Sequence, residues 1–498
     1  MLFNSYTFIL AFLPLSLLIY HGLRRSGFSH VSIFALTVLS LAFYGWWNPI
    51  YLLLIVPLIL ANFCLAHLIV PRQGRSPRGA RAWLILGVTG NLAVLGWFKY
   101  ANFFVDNANA LLGSELHLAK IVLPLGISFF TFQKIAFLVD AYRGKIDRLG
   151  LLDFSLFVSF FPQLIAGPIV HHSEVLPQFR RRGALPSGYL AMGLTILVIG
   201  LCKKVLVADT LALYAAPTFD AAAAGATPGF VAAWSGALAY TVQLYFDFSG
   251  YSDMAIGAAL LFGIKLPVNF ASPYKATSII DFWRRWHITL SRFLRDYLYV
   301  PLGGNRLGRL RRYANLLLTM LLGGIWHGAG WTFVIWGALH GFYLVLNHGW
   351  RALRPRLALP ATTGSFERRL GQALTFLAVT AGWVIFRAAD MEAARAILEG
   401  MLGLNGATGP AGAAGARTGL LLAGAMLLVA WLAPNTQELT GYVGPSGSYD
   451  AKQPAAAARP EREMRWRPEP RWAAAIGAAL GIAILSLSRV SEFLYFQF

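Results

Sequence analysis

Charge is what this chain has least of: 13% of its 498 residues are Asp, Glu, Lys or Arg. A soluble globular domain carries about 25%, so a water-exposed surface of ordinary extent is excluded. Acid is scarcer still, 22 residues against 42 Lys and Arg, for a net charge of +20. That excess does not indicate nucleic acid. The basic residues sit in short loops between apolar runs, as in cytoplasmic loops of a bacterial-type membrane protein, where they also suit anionic lipid. The two cysteines, Cys64 and Cys202, both lie in apolar segments, too few for a disulfide framework or a zinc site of their own. No serine stands in a Gly-x-Ser-x-Gly elbow, no metal-ligand spacing appears, and Gly303-Gly304-Asn305 lacks the lysine and strand of a P-loop. The first apolar run has no basic n-region and no small-residue cleavage site, so it reads as a retained helix and not a signal peptide.

What is present is hydrophobic sequence, 57% of the chain, in long uncharged stretches. About 20 apolar residues cross a bilayer. Residues 2–23 qualify, and Arg24 and Arg25 follow at once, which puts that end inside and the N-terminus outside. Residues 31–71 are also uncharged, too long for one span, and Gly45-Trp46-Trp47-Asn48-Pro49 splits them with an interfacial turn. Arg72, Arg75, Arg78 and Arg81 return the chain to the inner side. A further span covers roughly 82–98, followed by an external loop over 99–119. Later spans fall at about 186–207, 229–248, 370–387, 417–433 and 472–489. Residues 351–369 make a basic inner loop, and 441–471 a loose one rich in Gly, Ala, Pro and charge.

Residues 121–142 and 153–170 are apolar but interrupted, by Pro124, Gly126, Gln133, Lys134 and Asp140 in the first and Pro162, Gln163, Gly167 and Pro168 in the second. Polar groups at membrane depth face protein or water. These segments are either re-entrant pieces lining a cavity or kinked helices buried against neighbours. The span at 229–248 ends among Tyr245, Asp247, Ser249, Tyr251, Ser252 and Asp253, and the apolar piece 254–264 after it is too short to span alone. Asp247 and Asp253 are candidate acid/base groups, although such carboxylates more often cap a helix or pair with a cation.

On a helical wheel, residues 282–298 place Phe282, Trp283, Trp286, Leu290, Phe293, Leu294, Tyr297 and Leu298 on one side. Arg284, Arg285, Thr289, Ser291, Arg292, Arg295 and Asp296 fall on the other. An interfacial amphipathic helix is expected, with His287 in its apolar sector. Nine basic residues and two acidic ones lie between Lys275 and Arg312. A positive-inside loop accounts for part of this, and a docking site for a phosphorylated acyl donor such as a coenzyme A thioester is the functional reading. Residues 313–350 then run 38 positions without Asp, Glu, Lys or Arg and cross twice, turning near Gly328-Ala329-Gly330. His327 precedes that turn, and a histidine in apolar membrane sequence is costly unless used. His340 lies on the second limb. Along one continuous helix it would sit roughly 140° from His327, so the two need not act together. A transporter or flippase without chemistry is the competing class, since it too has broken helices and a basic inner mouth.

The motifs YFDFSGYSDMAIG (245–257), NFASPYKATSIIDFWRRWHITLSRFLRDYLYVPLGGNR (269–306), GGIWHGAGWTFVIWGALHG (323–341), WVIFRA (383–388) and PNTQE (434–438) resemble those of the membrane-bound O-acyltransferases, in the branch of the alginate O-acetylase and its cellulose-acetylating relatives. The opening LFNSYTFILAFLPL and the FFPQLIAGPIV segment (160–170) fit as well. The resemblance implies an all-α polytopic membrane protein of roughly 10–12 transmembrane helices, with re-entrant and amphipathic helices, around a central funnel or tunnel. It implies one acyltransferase domain over 1–498, with N-terminal helices in 1–100, a catalytic core at about 120–390 and C-terminal helices in 417–498. It makes the histidine of the Trp-His-Gly motif, His327, catalytic, and His287, about 40 positions upstream, its polar partner. The substrate- or donor-binding candidates are Trp283, Arg284, Arg285, Trp286, Arg295, Asn305, Trp326, Tyr245, Asp247 and Ser249. No bound cofactor or metal is expected, and acetyl-CoA is the expected co-substrate. The expected setting is the bacterial inner membrane, acetylating an exopolysaccharide such as alginate together with periplasmic acetyltransferase proteins.

Overall fold

The computed structural model describes the chain apart from residues 71–76, 147–149, 182–184, 187, 358–363, 408–414, 446–465, 488–493 and 495–498. Most of the expected loop 441–471 therefore lies outside the described residues. Those described form helices and connecting coil, with no strand among them. Five helical stretches are long and apolar enough to cross a membrane: Thr7–Arg25, Pro49–Ile69, Arg78–Leu112, Tyr189–Ala223 and Ser365–Arg387. Shorter apolar helices cover Ser29–Gly45, Ala416–Leu432 and Pro470–Ser486. The chain is an all-α polytopic membrane protein. Its contacts gather into two units, Met1–Leu201 with Tyr251–Val268 and Thr440–Leu487, and Cys202–Gly250 with Asn269–Leu439 and Ser488–Phe498.

In the first unit the expected turn at Gly45–Pro49 is present. Trp46 and Trp47 are exposed, and the Asn48 side chain accepts a hydrogen bond from the Ile50 N–H (3.1 Å) to start the next helix. The core gathers Phe3, Phe8, Phe43, Phe161 and Tyr251, with Phe3 stacked on Tyr251 at 4.9 Å and Phe43 tilted against Phe161 at 5.3 Å. Asn62 and Asn91 exchange amide hydrogen bonds (2.7 and 3.3 Å) between neighbouring helices, each contact contributing about 0.6–2 kcal/mol in an apolar setting. The expected loop at 99–119 is a correction: the helix Pro77–Leu112 runs well past 98. Nothing in 99–112 breaks a helix, and Asn102 ties the returning coil to it, donating to the Leu118 and Ala119 carbonyls and accepting from the Ile121 N–H. The interrupted segments are broken, buried helices, Ile127–Tyr142, Leu151–Ser159 and Phe161–Leu164. Gly126 starts the first in the left-handed region (φ 72°) with the Leu164 carbonyl 2.8 Å from where a Cβ would stand, so glycine is required.

In the second unit, Arg309–His327 and Trp331–Leu353 form the hairpin anticipated from the uncharged run, turning through Gly328-Ala329-Gly330. Gly324 and Gly337 let its limbs touch: a Cβ on Gly324 would fall 2.3 Å from the Phe333 carbonyl oxygen, and one on Gly337 2.6 Å from that of Met320. The coil 269–278 is strapped in place. The Tyr274 hydroxyl donates to the Thr241 carbonyl (2.6 Å), the Trp431 indole donates to the Tyr274 carbonyl (3.0 Å), and Lys275 donates to the Ala433 carbonyl (2.8 Å).

Two further expectations are overturned. The span 229–248 and the apolar piece 254–264 are not separate; Phe230–Leu261 is one helix, residues to Gly250 belonging to the second unit and those from Tyr251 to the first. Its polar residues are buried, and Asp247 is held by Lys204, so the carboxylate needs no membrane boundary. Lys204 lies in a π-helical turn, Lys203–Ala208, between the α-helices Tyr189–Cys202 and Asp209–Ala223. Nor is 282–298 a continuous amphipathic helix. It is broken into Ile279–Trp283, Ile288–Leu294 and a π-helical turn, Arg295–Tyr299. Arg292, expected on the polar side, is buried.

Candidate active site

The break at His287 builds the site. His287 adopts the left-handed conformation (φ 42°), uncommon outside glycine. The strap 269–278 compensates by taking the backbone groups the helix gives up: the Ile288 N–H donates to the Asn269 carbonyl and the Ala271 N–H to the Arg285 carbonyl, both at 3.0 Å. The Asn269 side-chain oxygen accepts from the Thr289 N–H (3.2 Å) and Thr289 hydroxyl (2.9 Å) and lies 3.1 Å from His287 Nδ1. A backbone N–H can only donate, so this atom is the amide oxygen. His287 Nδ1 therefore carries the proton, and Nε2 presents a lone pair. The ring is 1% exposed, in a turn outside the long apolar helices, and burial pushes its pKa down to about 3. It is neutral at physiological pH. The inward placement read from the wheel holds, although a turn and not a helix face produces it.

His327 ends the Arg309–His327 helix and is 6% exposed. Three aromatic rings surround it edge-on: Trp326 at 5.0 Å, Trp336 at 5.2 Å and Phe386 at 5.3 Å. Trp326 also stands 6.3 Å from His287, so one indole bridges the two histidines. Trp286 packs on Phe282, Phe270 and Trp383 (4.8 Å), and Trp283 on Trp336 and His340. Tyr245 joins through Tyr274, 5.3 Å away. The result is a packed aromatic cluster that contains both histidines.

Other candidates lie elsewhere in the same unit. Asp247 belongs to a separate ionic cluster, where Lys204 Nζ sits 2.8 Å from it and 2.7 Å from Asp209. The Leu494 N–H donates to the second Asp247 oxygen at 3.0 Å. All three side chains are at most 5% exposed. The pairing alternative weighed for Asp247 is the one its contacts match. Ser249 is buried. Asn305 is exposed, in the turn before Arg309. Arg284 is exposed, Arg285 is paired with Asp281 (2.9 Å) and Arg295 with Asp296 (2.7 Å). Asp253 falls in the first unit.

The sequence reading named His340 but placed neither it nor Trp336 and Trp383 among the site residues. Trp336 and His340 are four residues apart, hence on one helix face, and their rings touch at 4.7 Å. Trp336 stacks on Trp383 at 5.7 Å. The 13-residue step from His327, taken along one helix, hid this. Once the helix breaks at Gly328, His327 and His340 share the Trp336 ring from two different limbs.

Residues 82–385 match the model of the membrane-bound O-acyltransferase family. The chain is 46% identical over 436 residues to the peptidoglycan O-acetyltransferase of Helicobacter pylori, covering 82% of this chain and 80% of that protein. It is 45% identical over 410 residues to the probable alginate O-acetylase AlgI of Pseudomonas aeruginosa, covering 80% and 75%. A more distant relative is the teichoic acid D-alanyltransferase of Streptococcus thermophilus, 27% identical over 285 residues, 53% of this chain and 68% of that one. With this likeness over most of its length, the chain belongs to the membrane-bound O-acyltransferase family and is a membrane-embedded acyltransferase.

Proposed function

We propose that the chain is an O-acetyltransferase of the bacterial inner membrane, taking acetyl from acetyl-CoA at the cytoplasmic face for the O-acetylation of a cell-surface polysaccharide. The observation that carries this is the burial of His327 at a helix end, ringed by Trp326, Trp336 and Phe386 and joined to His287 through Trp326. His327 acts as general base. It takes the proton of an acceptor hydroxyl, whose oxygen attacks the thioester carbonyl carbon. When the tetrahedral adduct collapses the C–S bond breaks, and His327 returns the proton to the departing thiolate. His287, with Nδ1–H fixed by Asn269 and its lone pair on Nε2, orients the polar groups opposite. The tryptophans keep water from competing.

The relatives named for peptidoglycan and alginate support a polysaccharide as final acceptor and acetyl as the group. The arginine-rich loops support an inner mouth that meets an anionic donor, with Arg284 exposed there for its phosphates. By the same charge rule the N-terminus is periplasmic. Periplasmic acetyltransferase proteins would complete delivery to the polymer. The test is cleavage of radiolabelled acetyl-CoA by protein in nanodiscs supplied with a polysaccharide fragment as hydroxyl acceptor. His327→Ala is expected to lose it at unchanged protein level, and His287→Ala to lower it by 100-fold or more. Wild-type cleavage by His327→Ala would remove the base from the scheme.

A further inference from the structure

Two polar side chains in the second unit are buried without a hydrogen-bond partner and face the same spot. His340 is 0% exposed and neither ring nitrogen is bonded; Trp336 is 1% exposed and its indole N–H is unbonded. Leaving such groups unsatisfied costs about 1–3 kcal/mol each, so a pair of them in a well-packed unit implies something polar that they serve. The neighbouring helix shows where. A Cβ on Gly382 would stand 2.8 Å from His340 Nε2 and 3.6 Å from Trp336 Nε1. Glycine at 382 thus keeps any side chain away from both nitrogens. Trp336 links this place to the base: its ring lies 5.2 Å from that of His327 and 4.7 Å from that of His340. An indole nitrogen can only donate, so the group that sits there accepts hydrogen bonds.

We propose that Trp336 Nε1–H and His340 Nε2–H form a two-donor hole for the acyl carbonyl oxygen of the donor thioester. This rests on the acyl-transfer reading and supplies a part which that reading left unassigned. As the acceptor oxygen bonds to the carbonyl carbon and its proton passes to His327, the C=O π electrons move onto the carbonyl oxygen. The two N–H groups hold the resulting oxyanion. When the C=O bond re-forms the C–S bond breaks, and the thiolate leaves with the proton from His327. Donors that strengthen as charge develops act on the chemical step, and removing one costs about 100- to 1000-fold in kcat. Trp336→Phe keeps the ring contacts and deletes the donor. His340→Gln keeps an N–H at about the position of Nε2, whereas His340→Leu does not.

Two measurements test this on the full-length protein in nanodiscs. In steady-state cleavage of acetyl-CoA, Trp336→Phe is expected to lose about 100-fold or more in kcat with little change in KM. His340→Gln should keep at least ten times the rate of His340→Leu, and Gly382→Ala should resemble His340→Leu. A kcat for Trp336→Phe within about threefold of wild type, or a His340→Gln variant as slow as His340→Leu, overturns the proposal. The second measurement is the infrared carbonyl stretch of acetyl-CoA labelled with ¹³C at the carbonyl, bound to His327→Ala. A shift to lower frequency that disappears in Trp336→Phe/His327→Ala is expected, and a bound donor with no shift refutes the hole. Turnover of the donor by His327→Ala would instead indict the base, so the two failures are distinguishable.

Discussion

Lys204→Met should destabilise the second unit strongly, because it removes the ammonium that two buried carboxylates share. One ammonium serves two carboxylates, at 2.7 Å from Asp209 and 2.8 Å from Asp247, with every side chain at most 5% exposed. Water screens none of them, so the discount applied to surface pairs has no place here. Methionine matches the lysine stem and removes its charge. The two carboxylates are then held across a gap of at most about 5.5 Å, the sum of the two contacts. At an effective dielectric of about 20 their repulsion is roughly 3 kcal/mol, and breaking a buried pair by deleting one partner costs about 3–5 kcal/mol. Asp247→Asn should behave differently. It leaves Lys204 and Asp209 as a matched pair, and its one amide oxygen can accept from either Lys204 (2.8 Å) or the Leu494 N–H (3.0 Å), since the NH2 only donates. The loss is then that of one charge-assisted hydrogen bond, about 1.5–3 kcal/mol. Thermal unfolding in nanodiscs, followed by tryptophan fluorescence, should rank wild type, Asp247→Asn and Lys204→Met in falling order of Tm. The triple change Lys204→Met/Asp209→Asn/Asp247→Asn should recover most of the loss. A Lys204→Met protein as stable as wild type, or an Asp247→Asn protein as unstable as Lys204→Met, would refute the charge-count reasoning.

Asn269→Leu strips the acceptor from Thr289 and His287 at once and should cost more than about 2 kcal/mol, while Asn269→Asp keeps the acceptor and should cost less; denaturation midpoints separate the two. Gly337→Ala puts a methyl 2.6 Å from the Met320 carbonyl oxygen and should lower stability by about 1–3 kcal/mol, read from the same unfolding curves. Survival of full stability there would mean that the hairpin limbs are free to part.

Much of the architecture was legible because length and charge decide what crosses a membrane. The Gly45–Pro49 turn and the hairpin around Gly328 appear where the uncharged runs placed them. What periodicity misread were places where a distant side chain overrides the local pattern. Asn269 takes over the backbone groups beside His287 and breaks a helix that the wheel drew as continuous. Lys204 neutralises Asp247 from another helix and lets Phe230–Leu261 run through a stretch that looked like a membrane edge. Neither partner is near in sequence. His327 and His287 were visible as buried polar residues, but the share of Trp336 and His340 in the site depends on the hairpin folding back on itself.

The π-helical turn Lys203–Ala208 sets a rule about length. A π turn holds one residue more than an α turn of the same helix, so it behaves as a stored insertion. Deleting one residue there would let the segment close into regular α-helix without breaking the chain's path. The α-helices on either side would keep their phase, but the widened turn that carries Lys204 would be gone, and with it the placement of that ammonium between Asp209 and Asp247. At this turn a single codon removed would leave an intact helix and a displaced ammonium.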